Sequence, residues 1–171
     1  MAPFTIAQLY SGDIREKFAL AERIFHTDGP RLLADRAASE TLARMDTAAD
    51  ELGCEMARLQ YHILCRQCAA RQGGCCCSAY MAGENDVIQL LMNFLAGGNP
   101  VIGPTDNAEC CFIGPRGCIL KYKPMFCLNY NCRHFLAATS ESDLTVLYKA
   151  AGALLNEQYH LEQLLLKLLG R

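Results

Sequence analysis

No part of this chain is basic enough to track a phosphate backbone, and no apolar run is long enough to cross a bilayer. The opening MAPFTIAQLYSGDIREKF lacks the basic-then-apolar order of a signal peptide. These absences leave nucleic acid and membrane off the list of expected partners and point to a cytoplasmic protein. The charge is nearly balanced, 16 Lys and Arg against 18 Asp and Glu, so no strongly charged surface is expected. There is no glycine-rich phosphate loop, nucleophile elbow or paired-carboxylate motif, and no repeat at a solenoid period. The sequence therefore offers no recognisable catalytic pair, and whether the protein is an enzyme stays open.

Cysteine is what the chain does have. Of 11 cysteines, ten lie between Cys65 and Cys132. At 171 residues, 51% of them hydrophobic, the chain can bury a core without staples, so packing does not demand so many thiols. Structural disulfides are rare in a reducing cytoplasm, and an odd count would leave one cysteine over. Metal ligation is the expectation. One stretch supplies Cys65, Cys68, Cys75, Cys76 and Cys77; the other supplies Cys110, Cys111, Cys118, Cys127 and Cys132. A C-x-x-C pair clasps a metal centre from one turn, and thiolates from a distant segment complete the four. Side chains of adjacent residues in extended backbone point to opposite faces. In each consecutive run, then, either one cysteine is a spectator or the run serves two centres. Cys54 is the first spectator, about 16 Å along a helix from Cys65 at 1.5 Å per residue.

The rest reads as helix, a mainly helical all-α bundle carrying two irregular cysteine-rich metal-binding loops, 69–83 and 98–139, at one end. A single domain over 1–171 divides into N-terminal helices (1–64), a cysteine-cluster region (65–135) and a C-terminal helix (140–170). Ile14, Phe18, Ala21 and Phe25 mark a helix over 13–27, which Asp28-Gly29-Pro30 should end, with Pro30 opening the next. Leu42, Met45, Ala49, Leu52, Met56, Leu59 and Ile63 alternate steps of three and four, predicting one long helix weakened at Gly53, with Cys65 and Cys68 near its end. Residues 85–96 form a shorter helix, capped by Asn85 or Asp86 and stopped by Gly97-Gly98. The last helix runs from about Ser142 to Leu169; its leucine heptad, interrupted by Gln158, is read as core, with a homodimer seam as the alternative. A short strand is allowed around Cys118 to Tyr122.

Gly74-Cys75-Cys76-Cys77 resembles the G-x-C-C element of the YkgJ-type cysteine-cluster family of zinc- or iron-chelating proteins, in which a C-x-x-C pair comes just before. Cys110-x-Phe112-Ile113, Gly117-Cys118-Ile119, Lys123-Pro124-x-x-Cys127 and Tyr130-x-Cys132 are similar to the remainder of that signature. The resemblance covers roughly residues 65–135. It implies metal ligation by Cys76, Cys77, Cys110, Cys118, Cys127 and Cys132, with Cys65 and Cys68 as the displaced pair. The chain departs from the pattern in the wider gap after Cys68, in a shorter interval from Cys118 to Pro124, in Lys123 where the family has arginine, and in the added Cys75 and Cys111. The flagellin lysine methylases carry a similar signature, which keeps methyl transfer among the alternatives.

Between metals, the residues around the second run lean toward an iron–sulfur cluster, 4Fe-4S favoured. Phe112, Ile113, Ile119, Leu120, Tyr122, Phe126, Leu128, Tyr130 and Phe135 would limit water access, and Arg116, Lys121, Lys123 and Arg133 would offset thiolate charge. Zinc is the alternative: it accepts the same thiolates and would make the site a structural staple or interaction module. Copper would call for cysteines facing inward along helices rather than in loops. His62 and His134 lie near the cysteines and are read as polar neighbours rather than ligands. The expected work is electron transfer or redox sensing, with a protein redox partner docking near the basic second stretch.

Overall fold

The computed structural model describes residues 4–69, 76–98, 100–105, 108–114 and 117–170, without the side chains of Arg66, Cys68 and Ala69. It is mostly helical. A short α1 (Ile6–Tyr10), closed by a Thr5/Gln8 capping box, precedes α2 (Ile14–Ala34), whose start is fixed in the same way by Asp13 and Glu16. Next come α3 (Arg36–Arg58), α4 (Tyr61–Ala69), α5 (Ala79–Gly83) and α6 (Val87–Leu95). A two-stranded antiparallel hairpin follows, β1 (Ile113–Gly114) and β2 (Gly117–Cys118), pairing Ile113 with Cys118. Two short helices, α7 (Met125–Asn129) and α8 (Arg133–Ala138), lead into the long α9 (Glu141–Leu169).

Four helices make the frame. α3 packs along α9 and α2 along α6, while α2 also touches α3 and α6 also touches α9, closing a ring of neighbours. Their facing residues form the core: Ile24 and Leu32 from α2, Met45 and Leu52 from α3, Leu154, Leu161 and Leu165 from α9. Almost every residue of α6 is buried, so this apolar helix is the centre around which the others are laid. Phe94 of α6 meets Phe18 and Phe25 of α2 with ring centroids 5.3 and 5.6 Å apart. Asp86 caps α6, and Gly97, at φ +74°, ends it, a backbone state that costs a residue with a side chain more. The C-terminal heptad lies in the core, as read.

Four expectations are corrected. α2 continues through Asp28-Gly29-Pro30 to Ala34. Pro30 forfeits one backbone hydrogen bond, but Ile24 and Leu32 on either side are fully buried, and a Cβ on Gly29 would lie 3.1 Å from the Phe25 ring. Tertiary packing outweighs the local breaker here. The long helix instead stops at Arg58, not at Ile63, and Gly53 does not interrupt it. Gln60 takes φ +52°, and its carbonyl accepts from Ile63 and Leu64 to begin α4 in a new direction. Cys65 and Cys68 therefore ride a separate helix. The cysteine-rich segments are also less irregular than expected: α5, the hairpin, α7 and α8 lie within them. Finally, the strand sits at Gly117–Cys118 rather than continuing to Tyr122, because Tyr122 is held by side-chain amides instead of a strand partner.

Candidate metal centre

Main-chain bonds join the two cysteine stretches. The Cys110 amide donates to the Cys77 carbonyl at 3.1 Å, Ala79 donates to Ala108 at 2.9 Å, and Ser78 and Glu109 form an antiparallel bridge. Cys76 and Cys77 thus lie against Cys110, two extended segments side by side. The Cys111 carbonyl accepts from Gly103 at 2.8 Å, and a Cβ on Gly103 would lie 3.1 Å from that oxygen. Cys118 is placed by the hairpin, Cys127 by α7, and Cys132 as the N-cap of α8. Helix α4, with Cys65, packs against α8 and β2.

Burial pushes the Tyr61 hydroxyl well up, and charge on Cys65, Cys76, Cys132 and Cys77 pushes it further. Burial likewise raises the Cys127 thiol to about 12, with Cys118, Cys110 and Cys76 adding to the rise and Lys123 opposing it. Cys118 is raised chiefly by burial, against the pull of Lys123 and the Leu120 amide; Cys111 is raised by burial and then by Cys118. Cys76 goes the other way. A hydrogen bond from Cys77, helped by the Cys76 and Cys77 amides, outweighs burial and brings it down to about 6.

Among the described residues, no three or more of His, Cys, Asp and Glu are arranged to grip one metal ion. Cys75 and the side chain of Cys68, both of interest from the sequence, lie outside the described residues, as does Arg116. Cys54 is exposed on α3. Cys111 is buried beside Phe112 in the core, which suits a packing role for this added cysteine. His62 is exposed and His134 half-buried.

One observation tests whether the site suits an anionic sulfur centre. Tyr61 donates its hydroxyl to Oδ1 of Asn131 at 3.0 Å, and the Asn131 Nδ2 is buried with no hydrogen-bond partner among the described residues. Buried donors are nearly always satisfied. Asn131 directly precedes Cys132, so an unmet donor, which an anionic group would satisfy, stands next in the chain to a predicted ligand.

The sequence did not foresee how the second stretch is anchored. Asn93 of α6 forms a reciprocal pair with the Tyr122 backbone: Nδ2 donates to the carbonyl at 2.9 Å, and the Tyr122 amide donates to Oδ1 at 3.0 Å. Gln89 donates to the same carbonyl at 2.8 Å, and Gln158 of α9 donates to Gln89 Oε1 at 3.0 Å and the Lys123 carbonyl at 3.2 Å. The Tyr122 hydroxyl reaches Asp46 of α3. Gln158 interrupts the heptad because it serves this clamp; a polar residue at an apolar position was the available signal. Lys121 pairs with Asp46 at 2.6 Å, while the charge of Lys123 pulls Cys118 and Cys127 down against burial.

Compared with known proteins, the chain matches no family model, no curated protein and no solved structure. Among the described residues no helix is long and apolar enough to cross a membrane.

Proposed function

We propose that this protein binds an iron–sulfur cluster between its two cysteine stretches and works in electron transfer or redox sensing. The observation that carries the reading is the main-chain stitch that lays Cys76 and Cys77 against Cys110, two cysteine stretches from separate parts of the chain. Four thiolates hold one cluster. The candidate ligands are Cys65, Cys68, Cys76, Cys77, Cys110, Cys118, Cys127 and Cys132.

The residues have distinct tasks. Cys76, held near 6, is already largely thiolate at neutral pH and is the first ligand available. Cys127 must lose its proton on binding, so loading releases protons and strengthens as pH rises. Lys123 offsets the accumulated negative charge. Phe112, Leu120, Tyr122 and Phe135 are buried around the site and keep water out. When bound, the cluster would supply one-electron chemistry at a potential set by its hydrogen bonds and exposure. A protein electron donor or acceptor docks on the second stretch, where Met125, Phe126 and Tyr130 are 53%, 48% and 58% exposed around Cys127.

Anaerobic purification followed by iron, zinc and acid-labile sulfide analysis tests the reading. A brown protein with iron and sulfide in equal amounts, bleached by dithionite, is expected. Colourless protein carrying zinc would replace it with a structural zinc site, and protein carrying neither metal would end it.

A further inference from the structure

We infer that Cys77 and Cys110 are the site of a reversible disulfide, closed by exchange with a low-molecular-weight disulfide such as oxidised glutathione. What carries the inference is the juxtaposition of the two residues across an antiparallel ribbon, and it does not depend on a bound metal. Two main-chain bonds, from Cys110 to the Cys77 carbonyl and from Ala79 to the Ala108 carbonyl, flank the Ser78–Glu109 bridge and fix the register. Cys77 and Cys110 therefore lie directly opposite each other. Opposite residues set their side chains on one face of the ribbon. A hydrogen-bonded antiparallel pair has its Cα atoms about 5.5 Å apart, inside the roughly 4.4–6.8 Å that a disulfide spans.

The adjacent pairing is less well placed. The Ser78 amide donates to the Cys76 carbonyl at 3.0 Å, a three-residue turn centred on Cys77 that ends the ribbon there. Cys76 is thereby turned out of the ladder, and Cys111, its counterpart in register, is buried in the core. Cys77 and Cys110 are only half-buried thiols, so a small disulfide can reach them. The ribbon already joins the two ends of the segment that contains α5 and the buried α6, so closure asks for side-chain rotation and not for movement of a helix.

The exchange balances. The thiolate of one cysteine attacks a glutathione sulfur, the glutathione S–S bond breaks, and one glutathione leaves as its thiol. The second thiolate attacks the resulting mixed disulfide at the protein sulfur and expels the other glutathione. Two protein thiols are oxidised, one glutathione disulfide is reduced to two thiols, and the two protein protons end on the departing glutathiones. Closure withdraws both sulfurs from any metal, so oxidation and ligation exclude each other at these two positions.

The test uses the full chain, stripped of metal with a chelator and reduced, then equilibrated in glutathione buffers of rising oxidising strength. Samples are quenched with acid, alkylated and mapped by tandem mass spectrometry. Cys77–Cys110 is expected to be the first internal crosslink to form and to reopen with dithiothreitol. Cys76→Ser and Cys111→Ser should keep it, and Cys110→Ser should lose it; if a variant fails to fold, the wild-type map still decides. The equilibrium constant of this pair against glutathione should be roughly 30-fold or more higher in the native chain than in urea, because a disulfide that fits stabilises the fold it closes. A different pair closing first, glutathione adducts without the crosslink, or an equal constant in urea would each overturn the inference, and each leaves the metal reading to its own test.

Discussion

Replacing Asn93 by leucine removes the reciprocal pair that holds Tyr122 while nearly preserving volume. Tyr122 keeps its carbonyl partner, Gln89 Nε2, but its buried amide loses the acceptor 3.0 Å away. Orphaning a buried N–H costs about 1–3 kcal/mol, and the lost Asn93 donation adds about 1 more. The expected loss is therefore about 2–4 kcal/mol out of a total near 5–15. At about 2–4 °C per kcal/mol for a chain of this size, Tm should fall on the order of 10 °C. Urea unfolding of the reduced, metal-free protein measures the free energy, and calorimetry the midpoint. Because Tyr122 stands between Cys118 and Cys127, iron content should drop as well. Asn93→Asp sharpens the argument: it retains an acceptor for the Tyr122 amide but sets a carboxylate against the Tyr122 carbonyl, so it should be destabilised at pH 8 and partly rescued at pH 5, where the protonated acid can donate. A loss below about 1 kcal/mol for Asn93→Leu would refute the reasoning, because an unmet buried amide cannot be that cheap.

Three further outcomes are expected. Leu161 is fully buried in α9, and Leu161→Ala should cost about 2–5 kcal/mol independently of protein concentration; a concentration-dependent loss would instead place it at a subunit seam. Cys54→Ser should leave iron content and stability unchanged, whereas Cys127→Ser should lower iron content, as measured on protein purified in parallel. For the metal-free, reduced chain, the pH profile follows from two thiols. Cys76 has its folded value lowered from 9.0 to about 6, so its stabilisation is complete above pH 9 and is lost as pH falls through 6; Cys127 is raised from 9.0 to about 12, so its contribution is present below 9 and lost as pH rises through 12. Stability should rise from pH 6 to 9 and fall beyond. In Cys76→Ser the rise between 6 and 9 should flatten, and an unchanged slope there would count against the Cys77–Cys76 hydrogen bond.

The frame was legible where periodicity and capping agreed. Asp86 before an apolar run, Gly97 after it, and the leucines of α9 marked α6 and α9 closely. It was misread where a local signal met a stronger long-range contact. Gly29-Pro30 reads as a stop, yet the burial of Ile24 and Leu32 carries α2 through it. Nothing in Leu59-Gln60 announces a break; the positive φ at Gln60 brings Tyr61 onto Phe135, a partner 74 positions away. In the candidate site, the two cysteine stretches could be named from spacing, but not the bond from Cys110 to Cys77 that lays them side by side. The amides of Asn93, Gln89 and Gln158 were invisible for a related reason: their roles depend on which backbone groups the fold leaves without a strand or helix partner.

The stitch between Cys77 and Cys110, together with the packing of α3 on α9, has a bearing on how the protein is made. Contacts across such long sequence intervals form late, after much of the chain is available. During synthesis Cys65 to Cys77 leave the ribosome well before Cys110 to Cys132 exist, and α9, which packs along α3, follows both. For that interval the early sulfurs are without the backbone partner that Cys110 supplies to Cys77. If an inorganic group binds between the two stretches, as proposed, its delivery follows synthesis of both, and a truncated chain ending before α9 should accumulate mismetallated or oxidised material.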